Sequence, residues 1–377
     1  MKIVLTGGGT GGHFYPLIAV AQAINDLVTE KKLVEAKLYY LAPEPYDTHL
    51  LFENQIEYRR VSAGKWRRYF SLRNFFDAFK IIGGIITALW QLYIIFPDVV
   101  FSKGGYGSFP TLVAAKILGI PVVIHESDSL PGRVSLWSAK FARGIAVSYP
   151  EAVNFFTAYQ DKVALTGNPI RRELLSPISR GAHEFLNLDS NLPVIFVTGG
   201  SQGAAFLNHV VLDILPNLLE RYQVIHQVGN DNYDDMEKRS RVILEKVANH
   251  ERYKLFAHLN STALRMMAGV SNLVVSRGGS FIFELAVWGL PGIIVPIPES
   301  ISHDQRNNAF TYARSGGAIV IEQVNLTPSV LASEINRLMS DEKLREKMRA
   351  GARAFARPDA AKAIAEEIVS LALTHEL

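Results

Sequence analysis

The chain has 377 residues, enough for two or three domains, and 48% of them are hydrophobic, which excludes a disordered or fibrous protein. The absence of cysteine excludes a disulfide scaffold, a thiolate zinc site, an iron–sulfur cluster and a cysteine nucleophile. The net charge of +3 is close to balance and gives no global indication of nucleic-acid binding.

The first half begins with a short apolar run, residues 3–5, followed by the glycines of Gly7–Gly12 and a helical pattern of apolar residues. Further strands are predicted at 37–41, 99–102, 122–125 and 144–147. No export signal follows Met1, and the longest apolar stretch, 81–96, is interrupted by glycines and is shorter than the roughly 20 residues of a membrane span. We therefore expect a soluble, cytoplasmic protein.

The second half repeats this opening. Residues 194–197 form an apolar run, Thr198-Gly199-Gly200-Ser201-Gln202-Gly203 follows, and a helical pattern comes next. Thr198 lies 192 residues after Thr6, about half the chain length. Further strands are predicted at 224–227, 273–275 and 292–295. The repeat indicates two related domains, each built from a strand, a glycine loop and a helix.

Short apolar strands that alternate with helices are typical of parallel sheets covered on both faces. We therefore predict an α/β protein with two Rossmann-like, doubly wound parallel-sheet domains that face a central cleft. The predicted N-terminal domain covers 1–165 and the predicted C-terminal domain covers 166–340. Residues 341–377 are predicted to form C-terminal helices, broken at Pro358, the last of which packs back on the N-terminal domain.

Four glycine-rich loops follow predicted strands: Gly7–Gly12, Gly104–Gly107, Gly199–Gly203 and Arg277–Ser280. Ligands of open α/β sheets bind at the carboxyl ends of the strands, so these loops predict a binding site. Glycine lets a ligand approach the backbone, and the N-terminus of the next helix suits a diphosphate. The pattern Gly7-x-Gly9-x-x-Gly12 also fits a dinucleotide cofactor, but no convincing acidic residue follows about 20 positions later, which disfavours a nicotinamide cofactor.

Six motifs occur in a characteristic order: Thr6-Gly7-Gly8-Gly9-Thr10-Gly11-Gly12-His13, Ser102-Lys103-Gly104-Gly105-Tyr106, His125-Glu126-Ser127-Asp128, Thr166-Gly167-Asn168-Pro169-Ile170-Arg171, Gly199-Gly200-Ser201-Gln202-Gly203-Ala204 and Asp304-Gln305-x-x-Asn308-Ala309. From residue 3 to about 310 this order resembles the family 28 glycosyltransferases of the GT-B fold that convert lipid I to lipid II. The resemblance implies an inverting transferase. It would move N-acetylglucosamine from UDP-N-acetylglucosamine to the muramyl 4-hydroxyl of undecaprenyl-diphosphate-linked lipid I, in peptidoglycan synthesis.

The resemblance also implies roles for individual residues. The residues implied to bind the UDP-sugar are Thr10, Gly11, Gly12, Arg171, Ser201, Gln202, Gly203, Gly279, Ser280, Glu284, Asp304 and Gln305. Those implied on the acceptor side are Gly104, Gly105, Tyr106 and Asp128, the last in place of the family's usual asparagine. His13 is the candidate general base, because an imidazole suits removal of a hydroxyl proton at neutral pH. Glu126 is a second catalytic candidate, or equally a buried group that positions loops.

Donor chemistry supports the implied roles. A helix N-terminus at Ser201, with Arg171, can stabilise the leaving UDP without a metal. A carboxylate at Glu284 can accept hydrogen bonds from paired ribose hydroxyls. No cofactor is expected and no metal site is indicated. A divalent cation bound through the substrate diphosphate stays open.

Residues 65–80 hold five basic residues, one acid and six aromatics. Interleaved cations and aromatics favour an anionic membrane surface, here the cytoplasmic face of the cell membrane, with lipid I as a partner. The predicted membrane patch is Trp66, Arg67, Arg68, Phe70, Arg73, Phe75, Phe76, Phe79 and Lys80. An ordinary solvated helix is the alternative, and nucleic-acid binding is a weaker one. Cell-wall synthesis proteins are open as further partners.

Four other functions stay open at this point. The chain could be a GT-B enzyme with another UDP-sugar or glycolipid acceptor, or a UDP-sugar epimerase. It could also be a membrane subunit that binds a nucleotide sugar without turnover. A dinucleotide oxidoreductase is the least favoured.

Overall fold

The computed structural model describes residues 1–8, 10–64, 72–200, 204–299 and 305–375. The chain divides into two compact units. Unit 1 comprises Met1–Arg172 and Arg357–Leu377, and unit 2 comprises Glu173–Ala356.

Unit 1 is built around a parallel seven-stranded sheet with the strand order β3-β2-β1-β4-β5-β6-β7. In chain order its elements are β1 (Lys2–Thr6), α1 (Gly11–Glu30), β2 (Lys37–Ala42), α2 (Thr48–Glu53), β3 (Ile56–Arg60), α3 (Leu72–Ile95), β4 (Val99–Ser102), α4 (Phe109–Leu118), β5 (Val122–Glu126), α5 (Arg133–Ser138), β6 (Gly144–Val147), α6 (Pro150–Val153) and β7 (Val163–Leu165).

Unit 2 is built around a parallel six-stranded sheet with the order β10-β9-β8-β11-β12-β13. Its elements are α7 (Ala182–Phe185), β8 (Val194–Thr198), α8 (Ala205–Leu218), β9 (Gln223–Gln227), α9 (Tyr233–Leu244), β10 (Tyr253–Phe256), α10 (Ser261–Val270), β11 (Ser271–Ser276), α11 (Phe281–Trp288), β12 (Gly292–Ile294), α12 (Gln305–Arg314), β13 (Ala318–Val320), α13 (Pro328–Ser340) and α14 (Glu342–Phe355). The last helix, α15 (Ala360–His375), belongs to unit 1.

The two sheets confirm the predicted α/β class with doubly wound parallel sheets. β1 and β8 occupy equivalent places, each third in its sheet and each between the second and fourth strands of its unit. All the β-strand pairings are parallel, so the glycine loops after β1 and β4 lie at one edge of the unit 1 sheet. The same holds in unit 2 for the loops after β8 and β11. The predicted repeat is therefore a repeat of topology.

The unit boundary differs from the predicted boundary after residue 165. Gly167 N donates to the Val147 carbonyl at 3.2 Å, which ties the following segment to the unit 1 sheet. Arg172 then pairs with Asp26 of α1, with 2.8 Å between Nη1 and Oδ1, and its backbone N–H donates to Gln22 Oε1 at 3.1 Å. These bonds keep the chain in unit 1 as far as Arg172.

The C-terminal helices divide between the units. α14 lies in unit 2, where it packs against α11. α15 packs against α1, and its Ile364, Ile368 and Ala372 are buried in the same core as Ile18 and Leu27. The apolar face of α15 is therefore buried in unit 1.

Candidate functional site

Three loops of unit 1 meet at the carboxyl edge of its sheet. Lys103 N donates to the Thr6 carbonyl at 2.9 Å, so the loop after β4 runs beside the loop after β1. Gly104 and Gly105 have φ of +76° and +78°, which a residue with a Cβ rarely adopts. A Cβ at Gly105 would lie 3.3 Å from His13 Nε2. The glycines therefore let the imidazole pack directly against backbone.

His13 lies in the first turn of α1 and is half-buried. Its Nδ1 is 3.1 Å from Thr10 Oγ1. Burial lowers the pKa of His13 to about 4, and the charge of Lys103 adds to this effect. The imidazole is therefore neutral near pH 7 and able to accept a proton.

Lys103 is the least expected feature of this edge. The side chain is 2% exposed, and its Nζ has no hydrogen-bond partner among the residues that the structure describes. Burial lowers the pKa of Lys103 to about 8, while the carboxylates of Glu126 and Asp128 act in the opposite direction. Sequence reasoning quoted Lys103 within a motif but gave it no role, because burial of a lysine is not visible in the sequence.

Glu126 is buried at the end of β5, and both of its carboxylate oxygens accept hydrogen bonds from backbone. Oε1 accepts from Asp128 N and Oε2 accepts from Gly132 N, each at 3.0 Å. Burial raises the pKa of Glu126, and the neighbouring Asp128 charge raises it further. These contacts organise the 126–132 turn, which is the loop-positioning role foreseen beside the catalytic one. A catalytic role stays a prediction.

Arg171 belongs to unit 1 and packs on α1. Its guanidinium carbon is 4.5 Å from the centroid of the Tyr15 ring, a cation–π contact. The ring of Tyr15 in turn meets the ring of Tyr46 edge-on, with centroids 5.8 Å apart. Sequence reasoning missed both tyrosines. A Cβ at Gly11 would lie 2.9 Å from the Tyr15 ring and 2.7 Å from the Tyr46 hydroxyl oxygen, a proximity that no pattern in the sequence signalled.

The predicted donor-binding residues of unit 2 are partly described. Ser201, Gln202, Gly203 and Asp304 lie outside the described residues, so their placement stays a prediction. Gln305 begins α12, and its Nε2 lies 3.7 Å from where a Cβ of Gly279 would be. Ser280 precedes α11 and Glu284 lies, half-buried, in the first turn of that helix. Gln305 and the Gly279 loop are therefore brought together.

Arg277 is a second buried cation, 8% exposed, directly after β11. Its Nη1 donates to the Val295 carbonyl at 3.1 Å and to Gln323 Oε1 at 2.8 Å. Burial lowers the pKa of Arg277 to about 10. These bonds join the glycine loop after β11 to the segments that follow β12 and β13. In the described parts of the chain, no cluster of three or more His, Asp and Glu side chains could hold a metal ion.

Four of the predicted membrane-patch residues, Trp66, Arg67, Arg68 and Phe70, lie outside the described residues. Arg73, Phe75 and Phe76 belong to the helical backbone of α3. Phe79 is 60% exposed, and Lys80 is exposed and lies 3.7 Å from Asp77 Oδ1.

The exposed apolar face of α3 continues well beyond the predicted patch. Ile82, Ile86, Trp90 and Tyr93 are each at least 55% exposed, and with Phe79 they follow the helical period. Sequence reasoning missed these four, although their spacing of three and four residues was a readable signal.

Within the described residues, one segment, Asp77–Ile95, is long and apolar enough to cross a membrane by length and composition. It is longer than the stretch counted from the sequence. On its other face Ala88, Leu92 and Ile95 are buried, and α3 packs along α4. The helix is therefore an integral part of unit 1 with one apolar face left open.

Comparisons with known proteins agree with this architecture. Residues 3–147 match the glycosyltransferase family 28 N-terminal domain, and residues 194–364 match the family's C-terminal domain. A protein of Treponema denticola named UDP-N-acetylglucosamine–N-acetylmuramyl-(pentapeptide) pyrophosphoryl-undecaprenol N-acetylglucosamine transferase is 36% identical over 359 residues. The match covers 91% of this chain and 89% of that protein.

Solved structures share the fold. The MurG crystal structure of Acinetobacter baumannii superimposes with a TM-score of 0.71 at 24% identity, covering 98% of this chain and 99% of that one. A UDP-GlcNAc 2-epimerase of Neisseria meningitidis, solved with UDP-GlcNAc bound, gives 0.68 at 16% identity, covering 98% and 100%. The fold alone therefore does not separate transferases from epimerases, whereas the sequence relation does. On that relation, the chain belongs to glycosyltransferase family 28 and is a glycosyltransferase.

Proposed function

We propose that this enzyme transfers N-acetylglucosamine from UDP-N-acetylglucosamine to the 4-hydroxyl of the muramyl sugar in lipid I, which forms lipid II. The observation that carries the proposal is the 36% identity, along nine-tenths of the chain, to a transferase named for that reaction. The glycine loops that follow the strands, and the neutral His13 in unit 1, supply the chemistry. A different UDP-sugar or acceptor is the alternative and has no observation of its own in its favour.

The proposed reaction is a single displacement at C1 of the donor sugar. The acceptor 4-oxygen forms a bond to C1 while the bond from C1 to the UDP oxygen breaks, which inverts the anomeric configuration. His13 takes the hydroxyl proton. If Thr10 Oγ1 accepts the Nδ1–H across their 3.1 Å contact, Nε2 keeps the lone pair that receives this proton.

The donor nucleotide is assigned to unit 2 in this proposal. Glu284 is proposed to accept from the ribose hydroxyls, and Gln305 to contact the sugar beside the Gly279 loop. The proposal places the remaining contacts at Thr10, Gly11, Gly12, Arg171, Ser201, Gln202, Gly203, Ser280 and Asp304. Helix N-termini stabilise the negative charge of the leaving UDP without a bound metal, and an assay with and without a chelator tests for a divalent cation carried by the diphosphate.

The exposed apolar face of α3 is proposed to dock peripherally on an anionic membrane, where the lipid-linked acceptor resides. Its large side chains can enter the interface, and Lys80 can meet lipid headgroups. Because the opposite face of α3 is packed within unit 1, the helix lies on the membrane in this proposal.

The deciding experiment measures UDP release from UDP-N-acetylglucosamine with and without a short-chain lipid I analogue. Release that depends on the acceptor, with UDP-glucose and UDP-galactose at least tenfold poorer, supports the proposal. Donor binding without release would leave a binding subunit, and release or donor conversion without an acceptor would indicate a hydrolase or an epimerase.

Membrane docking is tested by flotation with phosphatidylglycerol vesicles. A variant carrying Ile86→Ser and Trp90→Ser should lose most vesicle binding while it keeps its melting temperature. Phe206→Ser in unit 2, which removes another exposed aromatic side chain, is the matched control and should bind as the parent protein does. Equal binding by both variants would contradict the assignment of this face.

A further inference from the structure

A short segment after β2 lies at the same sheet edge as the first glycine loop. β2 pairs with β1 so that Leu41 lies opposite Thr6, and the next residues, Pro43–Asp47, leave the sheet where the glycine loop does. Asp47 caps α2 by accepting from Leu50 N at 3.0 Å. This cap fixes where the segment ends. The six motifs from the sequence do not include it.

Aromatic contacts fix Tyr46 within this segment. Its ring centroid is 5.0 Å from that of buried Phe14 and 5.8 Å from that of Tyr15, and the Tyr15 ring also contacts Arg171. Tyr46 also has a φ of +56°, a conformation that non-glycine residues adopt rarely and at a cost. The contacts therefore hold an unfavourable backbone in place.

The phenol of Tyr46 reaches the glycine loop itself. A Cβ at Gly11 would lie 2.7 Å from the Tyr46 hydroxyl oxygen, so only glycine allows this approach. Even so, the Tyr46 side chain is 42% exposed, and that of Tyr106 on the loop after β4 is 37% exposed. Two aromatic side chains thus stand open to a ligand at the loop that carries His13.

A cavity of about 70 Å³ lies between these groups, lined by Thr10, Tyr40, Glu44, Tyr46 and Tyr106 among others. Pockets that enclose a whole ligand typically measure about 300–1,000 Å³, so this smaller cavity suits one substituent of a sugar better than a whole sugar ring. Aromatic walls with a hydroxyl and a carboxylate suit a neutral group that has an apolar face and an N–H. The carboxylate of Glu44 disfavours a diphosphate.

We propose that Tyr46 and Glu44 form an acceptor subsite for an uncharged substituent of the acceptor sugar, namely its acetamido group. The inference rests on the proposed function, which assigns the donor nucleotide to unit 2, and on the acceptor-side residues Gly104, Gly105 and Tyr106 that the family resemblance implies at this edge of unit 1. The Tyr46 ring supplies the wall of the subsite, and Glu44 accepts from the amide N–H.

The test compares KM for a short-chain lipid I analogue with KM for UDP-N-acetylglucosamine. Tyr46→Ala should raise the acceptor KM about tenfold and leave the donor KM within twofold, whereas Tyr46→Phe, which keeps the ring, should stay within threefold for both. Phe52→Ala, which removes an 84% exposed aromatic from the adjacent α2, is the matched control and should not change either constant. An unchanged acceptor KM in Tyr46→Ala, or a shift in the donor KM instead, would overturn the subsite.

A second acceptor makes the chemical assignment testable. The parent enzyme should prefer the acetamido analogue about tenfold over one with a hydroxyl at that carbon, and Tyr46→Ala should reduce the preference to about twofold. Should Tyr46→Ala fold poorly, Glu44→Gln at an exposed position replaces it, with Glu53→Gln as control, and an unchanged preference there counts against the subsite.

If the proposed function is wrong, the parent enzyme itself shows no acceptor-dependent turnover, which distinguishes this outcome from a wrong subsite. Calorimetric titration of the two analogues, with UDP present, then tests the subsite without turnover. A tenfold weaker binding of the hydroxyl analogue to the parent protein, lost in Tyr46→Ala, supports the subsite, and equal binding overturns it.

Discussion

The two glycine-loop edges have the same construction but different chemistry. In each unit the strand at the fourth position of the sheet ends in a serine, and a buried cation and two glycines follow it. The residues are Ser102-Lys103-Gly104-Gly105 at the end of β4 and Ser276-Arg277-Gly278-Gly279 at the end of β11. Arg277 donates two hydrogen bonds, to a carbonyl and to an amide oxygen, whereas Lys103 Nζ has no such partner within the described residues. The arginine therefore stabilises its unit, while the lysine acts through its charge.

The helices α1 and α8, which follow the first strand of each unit, also differ in their titratable residues. At the offset of 192 residues, the position of His13 in unit 1 is Ala205 in unit 2. Titratable groups crowd the unit 1 edge, with His13, Lys103 and Glu126 each shifted in pKa by burial. With the proposed function, the comparison predicts that unit 1 performs the proton transfer and that unit 2 binds the donor. The predictions below test this division.

The largest effect is expected from His13→Ala. Loss of a general base costs roughly 10²- to 10⁴-fold in turnover, so acceptor-dependent UDP release should fall by that range while UDP-N-acetylglucosamine still binds. His209→Ala, which removes an exposed histidine from unit 2, is the control and should keep full activity. Turnover within threefold of the parent rate in a folded His13→Ala protein would move the base elsewhere, with Glu126 the next candidate.

Replacement of each buried cation by methionine should have opposite effects on stability. Arg277→Met leaves the Val295 carbonyl and the Gln323 amide without their donor, which should lower the free energy of unfolding of unit 2 by about 2–4 kcal/mol. Lys103→Met removes a buried charge that makes no hydrogen bond, so the stability of unit 1 should stay level or rise by about 1 kcal/mol.

Hydrogen exchange against urea measures both units in one protein. Equal destabilisation by the two substitutions would show that Lys103 stabilises unit 1 as much as Arg277 stabilises unit 2. The proposed difference between the two buried cations would then be wrong. Arg277→Lys keeps the charge but loses the planar guanidinium donors, so its free energy of unfolding should lie between those of the parent and Arg277→Met.

The centres of both sheets could be predicted from the sequence, and their edges could not. The nine predicted strands are β1, β2, β4, β5, β6, β8, β9, β11 and β12, which are continuous apolar runs because both of their faces are covered. The four strands that were missed are β3, β7, β10 and β13, the outermost of each sheet. In β3, Glu57, Arg59 and Arg60 are exposed, so the apolar signal is broken.

The same limit applies to the site. His13 and the glycines of both edges were predictable, because a glycine loop directly after a strand places its residues by local geometry. The approach of Tyr46 to Gly11 depends on the pairing of β2 with β1 and on a positive φ, neither of which any local pattern encodes. Burial of Lys103 and Arg277 likewise comes from tertiary packing.

Acidic pH should lower the free energy of unfolding of unit 1 more than that of unit 2. Burial lowers the pKa of His13 to about 4 and that of His226 to about 3, and it lowers the pKa of His125 well below 6.5. The unfolded chain therefore binds more protons, so stability is complete above about pH 6.5 and is lost as pH falls toward 4, by at most ~1.4 kcal/mol per pH unit for each histidine.

Unit 1 carries two of these histidines and unit 2 carries one. Glu126, whose pKa is raised, opposes part of the loss in unit 1. Hydrogen exchange at pH 7 and pH 5 should show a loss about 1–2 kcal/mol larger in unit 1 than in unit 2. An equal loss in the two units would mean that His13 and His125 do not respond as their burial predicts.

The smallest effect is expected when Lys103→Met removes the charge beside His13. Burial is the main cause of the low pKa of His13 and the Lys103 charge is the second, so Lys103→Met should raise the pKa by about one unit and leave it below the ordinary 6.5. The rate should then fall about twofold at pH 5 and stay unchanged at pH 7.5, where the imidazole is neutral in both proteins. Lys103→Arg keeps the charge and should keep the parent profile. A histidine NMR titration measures the pKa of His13 without turnover. An unchanged pKa in Lys103→Met would assign the low value to burial alone. Lys103 would then resemble Arg277 in having no influence on the proton acceptor.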